Sequence, residues 1–353
     1  MKVKKQKFGV LADGTKVNIY TVKNDNMSFS CTDYGCTLTS IILKDENNIK
    51  TDILLGFSTL EGYINTKFCF GTIVGRYANR IRNGSFTLNG QQYILEKNDG
   101  ENTLHGGYFG YDKTVWNSEI IEEKDRCGVR FSRLSPDGEQ GFPGNVMIYI
   151  TYLLDNNNNI ICYYTAETDK STPINITNHA YFNLAGRGSI HNHLLTLKSS
   201  QYLEIDKNLI PTGKFIGVKN TAFDFTTEKE MGRDIENVSP GYDHCFVTDI
   251  YDKNNKQCGV PLDDDKIVPF AYVKEPVSGR SMNVYTNMEG CQFYTANWIK
   301  GVIGKNGVTY ENHDGFCLET QCFPDSPNKI NFPTCVLEPG QKMRAKTVFS
   351  FKF

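Results

Sequence analysis

The sequence predicts an all-β protein, a large antiparallel β-sandwich with few short helices, and three observations predict it. The 353 residues include 22 phenylalanines and 19 tyrosines among frequent Val, Ile and Thr, a composition suited to pleated, half-buried surfaces. Residues 146–168 read as a complete hairpin: VMIYITYLL, then Asp155 and four asparagines, then IICYYTAET. Asparagine tolerates positive φ, so it suits the link between paired strands. Convincing amphipathic helices are scarce.

Taken in chain order, SFTLNGQQYILE is a hairpin turning at Asn89 and Gly90, and GVRFSRL alternates as a strand. VMIYITYLL carries apolar side chains on both faces: Val146, Ile148 and Ile150 against Met147, Tyr149 and Leu153. That predicts a strand covered on both sides, as in stacked sheets. HLLTLKSSQYLEI alternates next, Thr227 to Ile235 is expected to supply one short helix, and KTVFSFKF closes the chain as a strand. With no repeat of fixed period and no low-complexity linker, residues 1–353 read as one domain whose loops carry the chemistry.

Composition excludes several classes of function. Hydrophobic residues are 39% and charged residues 22% of the chain, the balance of a soluble globular protein. A net charge of -2 offers no field to hold a polyanion, so no nucleic-acid partner is expected. The basic N-terminus has no apolar segment behind it, and no apolar run approaches the roughly 20 residues that span a bilayer. Eleven cysteines, an odd number with no CxxC pair, read as free and mostly buried thiols in a reducing compartment. The expectation is a cytoplasmic monomer or homodimer with no membrane partner and no bound metal.

Phosphate-cradling GxxxxGK[ST], dinucleotide-binding GxGxxG, HExxH and GxSxG are all absent. What remains is imidazole, carboxylate and guanidinium, the groups for proton transfer and for gripping polar ligands. His191 and His193 read as part of a solvated turn after Gly186 and Gly188. His105 precedes Gly106 and Gly107, which leave room for a close approach. His179 lies among polar tips at a strand end, with Asn178, Tyr181 and Asn183. Asn79 and Arg80 end GTIVGRYANRI, which also holds Arg76, and two arginines in an apolar strand make a ligand-facing role as strong a reading as a surface ion pair. Asp243 reads on its own as a turn cap. Glu319 sits in the apolar run FCLE, where burying an unpaired carboxylate is costly; a partner in the fold or a raised pKa would account for it.

Six segments then identify a family: GTIVGRYANRIRNGSF, ENTLHGG, TNHAYFNLAG, GYDHCF, GCQFYTANW and GFCLETQCFPDSPN. In this order and spacing the chain resembles the aldose 1-epimerases (galactose mutarotases) over nearly its whole length. The resemblance implies a galactose mutarotase-like supersandwich with an open sugar cleft. It implies Glu319 as general base and His179, as imidazolium, as general acid. It places Arg80, His105 and Asp243 on the sugar, with Asn79, Tyr181 and Gln292 lining the same cleft. The reaction opens and recloses a free aldose by proton transfer and needs no cofactor. The chain departs from common family versions at Ala180, Tyr242 and Cys322, none of which removes a group the reaction needs. Three rival readings remain: a hexose 6-phosphate epimerase gripping its dianion with Arg76 and Arg82, a lectin-like binding sandwich, and a glycoside hydrolase or lyase domain. A hydrolase would need a second catalytic carboxylate.

Overall fold

The computed structural model describes residues 1–353 apart from 46, 254–256 and 260–265. Three antiparallel sheets dominate it. A five-stranded meander runs through Lys2–Val10, Lys16–Lys23, Met27–Thr32, Leu38–Lys44 and Lys50–Asp52. A nine-stranded sheet has the spatial order Asn117–Glu122, Arg126–Ser135, Val146–Asp155, Asn159–Thr168, Met343–Lys352, Ser281–Thr286, Val268–Lys274, Leu194–Leu197 and Lys229–Glu230. A second five-stranded sheet orders Pro211–Gly217, Gln201–Ile205, Asp243–Val247, Gly290–Tyr294 and Cys317–Gln321.

The broad sheet turns one face to both smaller ones. Tyr152, Cys162 and Thr347 are register partners and so share that face. At one end, Tyr152 meets Phe29 of the N-terminal meander with ring centroids 6.4 Å apart. At the other, the Thr347 hydroxyl bonds the Thr320 hydroxyl of the Cys317–Gln321 strand. Side chains alternate along that strand, so Leu318 and Thr320 pack inward while Cys317 and Glu319 face the opposite way. One cluster of buried apolar side chains runs from Tyr20 to Phe351.

The predicted hairpins are present. Residues Val146–Asp155 pair with Asn159–Thr168, and Asn89 and Gly90 turn the Ser85–Leu88/Gln91–Ile94 hairpin at φ of +50° and +79°, the left-handed pair a type I′ turn requires. Four expectations are corrected. The first strand of the large hairpin is covered on both sides only toward its end, where Leu153 is buried, because Met147 and Tyr149 are only half-buried. They share the outer surface with Arg130, Tyr163 and Glu167, and an apolar residue among long charged side chains looks the same in sequence as one under a second layer. HLLTLKSSQYLEI is two strands in different sheets, broken between Leu197 and Gln201.

Thr227 to Ile235 forms no α-helix. Its backbone pairs sideways, Met231 N–H to the His193 carbonyl and Gly232 N–H to the His191 carbonyl, and Lys229 Nζ bonds the Ala222 carbonyl and Asp234. These tertiary bonds outweigh a weak helical preference that Gly232 already undercuts. Among the described residues the only α-helix is Leu60–Asn65, capped by Thr59. Finally, Cys258 and Cys322 form a disulfide, so two of the eleven cysteines are not free; the other nine are, and all but Cys69 are buried. Buried Glu289 lies against this bridge and burial lifts its carboxyl to about 8. With both sulfurs bonded to each other, this trio presents no thiolate.

Candidate active site

The Cys317–Gln321 strand forms one wall of an open cleft of about 420 Å³. Its register partner Gly290–Tyr294 sets Gln292 opposite Glu319, and the next strand sets Asp243 opposite Tyr294. Gln292 Nε2 donates to Asp243 Oδ1 at 2.7 Å. Three adjacent strands of one sheet therefore deliver Glu319, Gln292 and Asp243 side by side.

The opposite wall comes from two left-handed residues that brace each other. Asn79 has φ +63° and His105 φ +53°. Each donates its backbone N–H to the other, Asn79 to His105 Nδ1 and His105 to the Asn79 carbonyl, both at 3.1 Å. That leaves the neutral His105 ring its proton on Nε2, as a donor. Arg80 Nε bonds Asp99 at 2.7 Å, and its Nη1 lies 4.0 Å from Asp243. Gly106 lets this corner close: with φ +89°, a Cβ there would lie 2.1 Å from the Gly75 carbonyl oxygen. Gly106→Ala is expected to displace His105 and raise KM about tenfold or more, since a misplacement of about 1 Å can cost as much as 10²-fold. Steady-state kinetics checks this; an unchanged KM would mean that His105 is not held by this contact.

His179 lies on the cleft floor, with its backbone fixed by Thr72 and Gly71. Its Nε2 is 3.7 Å from Glu319 Oε1, and its Nδ1 is 3.5 Å from Cys317 Sγ. Tyr181 stacks on the ring at 4.9 Å and 15°, and His105 meets it edge-on at 5.3 Å. Glu319 is 2% exposed, and its Oε2 has no hydrogen-bond partner among the described residues; the same holds for Gln292 Oε1. Buried polar atoms without partners are uncommon, and a polyhydroxyl ligand would supply what these lack.

Burial sets the protonation pattern. It pushes the Glu319 carboxyl well above the usual carboxylate range, with Asp243 adding to the rise and Arg80 opposing it. It lowers His179 to about 4. Asp243 is also raised by burial, against Arg80 and the Gln292 bond. His105 is held well below the ordinary histidine value by burial, His179 and Arg80. Burial therefore disfavours the charged form of the His179 ring, because taking a charge out of water is costly.

Seven of the eight residues singled out in sequence (Asn79, Arg80, His105, His179, Tyr181, Asp243 and Glu319) line the cleft, and Gln292 touches it through Asp243. Arg76 and Arg82 do not. Arg76 is buried, donating to the carbonyls of Pro143, Gly144, Ser135 and Pro136, while Arg82 pairs with Asp206 at the surface. His193 is not in a solvated turn: it is 1% exposed and accepts from Leu184 N–H. Sequence reasoning missed Lys67, Phe68, Asp99, Tyr294 and Trp298, which also line the cleft. Tyr294 and Trp298 lay within the recognised segment GCQFYTANW and stack on each other at 5.7 Å. Asp99 carried no signal, since only the fold brings it to Arg80.

With this geometry established, four likenesses bear on the chain. The sequence profile of the aldose 1-epimerase family matches residues 18–350. A mouse protein named galactose mutarotase is 41% identical over 98% of the chain and 97% of its own length. An Escherichia coli protein named aldose 1-epimerase is 34% identical over 96% of both. A solved structure of galactose 1-epimerase from Lactobacillus acidophilus superposes with a TM-score of 0.85 at 27% identity, covering 99% of the chain and 98% of that structure.

Proposed function

The chain belongs to the aldose 1-epimerase family, and from that premise we infer how its cleft works: it is a mutarotase that interconverts the α and β anomers of free aldoses such as D-galactose and D-glucose, with Glu319 and His179 as the proton-transferring pair. The observation that carries the reading is the 3.7 Å approach of His179 Nε2 to Glu319 Oε1 on the floor of a cleft walled by Arg80, His105 and Asp243.

The C1 hydroxyl oxygen and the ring oxygen are bonded to the same carbon, so two groups this close can reach both. Glu319 takes the C1 hydroxyl proton while His179 gives one to the ring oxygen, and the C1–O5 bond breaks to the open aldehyde. Rotation about C1–C2 turns the other carbonyl face toward the pair. Closure then runs the transfers backward: Glu319 returns its proton to the carbonyl oxygen and His179 recovers its own. The pair holds one proton throughout. With it on His179 the site is set to open a ring, and with it on Glu319 to close one. Burial favours the second arrangement. A bound ring donates its C1 hydroxyl to Glu319, which stabilises the carboxylate and moves the shared proton to His179. Arg80, His105 and Asp243 hold the remaining hydroxyls, so the aldehyde stays in register while it turns.

The cations lining the cleft among the described residues are Arg80, already paired with Asp99 and facing Asp243, and Lys67. That favours a neutral sugar over a phosphorylated one, whose dianion needs a cluster of free cations. Among the described residues no helix is long and apolar enough to cross a membrane. The largest apolar cluster, which runs from Tyr20 to Phe351, favours one domain over residues 1–353, and nine free thiols against one disulfide lean toward a cytoplasmic setting.

Polarimetry of freshly dissolved α-D-galactose tests the activity: the protein should accelerate the approach to anomeric equilibrium, and no acceleration with galactose, glucose or xylose would sink the reading. The pH dependence follows from the shared proton. On the acid side a second proton charges His179, so kcat/KM should be flat through neutrality and fall only as pH approaches about 4. On the alkaline side it falls as the pair loses its proton from Glu319. An acid limb at the ordinary histidine value would contradict the buried neutral ring.

A further inference from the structure

Proton exchange at Nε2 requires something of the other nitrogen. An imidazolium that gives up the Nε2 proton keeps its proton on Nδ1, and the ring recovers a proton at Nε2 only if that tautomer persists. The group that meets Nδ1 is a thiol. Cys317 Sγ lies 3.5 Å from Nδ1 while Glu319 Oε1 lies 3.7 Å from Nε2. Cys317 and Glu319 are two apart on one strand and share a face, so one β-strand presents a partner to each nitrogen of the same ring.

We propose that Cys317 is a positioning residue for His179, its sulfur accepting the Nδ1 proton so that Nε2 remains the nitrogen that exchanges with Glu319 and the sugar. This rests on His179 and Glu319 being the proton-transferring pair. The placement of the two partners supports it. Glu319 Oε1 faces Nε2 at 3.7 Å, so a proton exchanged with this carboxyl passes through Nε2 and the proton the ring keeps sits on Nδ1, the nitrogen that faces Cys317. The alternative, with the thiol donating to Nδ1, would place a ring proton on Nε2 against the carboxyl proton.

A thiol in this place also differs from an oxygen partner in strength. Sulfur is a weak acceptor, so it orients Nδ1–H while adding little to the stability of the imidazolium. The remaining titratable groups against the ring are His105, Tyr181 and Tyr294, with Arg80 and Asp243 across the cleft. None of these is in hydrogen-bond contact with Nδ1 in the structure; Cys317 is. The weak partner and the dry site act in the same direction, keeping His179 neutral and the shared proton on Glu319 until a sugar arrives. Burial holds the Cys317 thiol protonated, far above its usual range, which rules out a thiolate that would charge the ring permanently.

Nitrogen-15 NMR of histidine-labelled wild type at neutral pH reads the tautomer directly, without any variant. The His179 signal, assigned by its loss in His179→Asn, should be that of a neutral ring protonated on Nδ1; a ring protonated on Nε2 would overturn the proposal. Two variants read the consequence. Cys317→Ala should mix the tautomers and lower kcat about tenfold or more with KM little changed, since positioned proton transfer is worth roughly 10²–10⁴-fold and only part of it is lost. Cys317→Ser should keep the Nδ1–H tautomer and move the acid limb of kcat/KM to higher pH, because a hydroxyl oxygen accepts better and stabilises the charged ring. Unchanged tautomer, kcat and acid limb in both variants would reduce Cys317 to packing and overturn the proposal. Failure of the catalytic assignment shows separately: His179→Asn would then keep near-normal turnover whatever the spectrum of the wild type.

Discussion

Glu319→Gln is expected to lower kcat by about 10²–10⁴-fold while leaving sugar affinity within a few-fold of wild type. The amide is nearly isosteric, so the 2%-exposed site keeps its packing, and Arg80, His105 and Asp243 keep their grip on the hydroxyls. What disappears is the exchangeable proton. Glutamine neither takes the C1 hydroxyl proton nor returns it to the carbonyl oxygen, and His179 alone cannot serve both oxygens in one step. Polarimetric kcat and KM, with galactose binding measured by calorimetry, check the result. Near-normal turnover would remove Glu319 from the chemistry, and lost binding would make it a sugar-holding group instead.

The largest expected effect on stability lies away from the cleft. Arg76→Met should destabilise the fold by about 3–5 kcal/mol, comparable to breaking a buried ionic network. Arg76 is 2% exposed and ties together a corner rich in backbone carbonyls. Nη1 donates to the carbonyls of Pro143 at 2.6 Å and Gly144 at 3.0 Å, and to the Thr172 hydroxyl at 3.3 Å. Nη2 donates to Ser135 and to the Pro136 carbonyl. Methionine fills similar volume but leaves several carbonyl oxygens buried and unpaired, each costing about 1–3 kcal/mol before relaxation. For a chain of this size a loss of that order lowers Tm by roughly 4–7 °C. Thermal melting measures it, and kinetics below the transition should show kcat within a few-fold of wild type, because Arg76 touches no group of the cleft. A rise in KM or a drop in kcat without a drop in Tm would return Arg76 to the ligand-facing role its neighbours in sequence suggested.

That contrast between Arg76 and Arg80 marks the boundary of what a sequence can decide. The two lie four residues apart in one apolar stretch, and nothing local separates a cation that closes a corner from one that holds a sugar. The strand pattern was legible because alternation and turn chemistry are local: Asn89 and Gly90 must turn where two apolar runs meet, whatever surrounds them. Glu319 was legible because a carboxylate in an apolar run is costly wherever that run is buried. Other features depended on contacts between distant segments. Asp99 reaches Arg80, the Thr227–Ile235 stretch finds sideways partners at His191 and His193, and Cys258 meets Cys322 across 64 residues. Side-chain protonation belongs to the same group. Sequence placed an imidazole and a carboxyl in one cleft, but the direction of their proton was decided by burial, which exists only once the sheets have packed and water has left the floor between them.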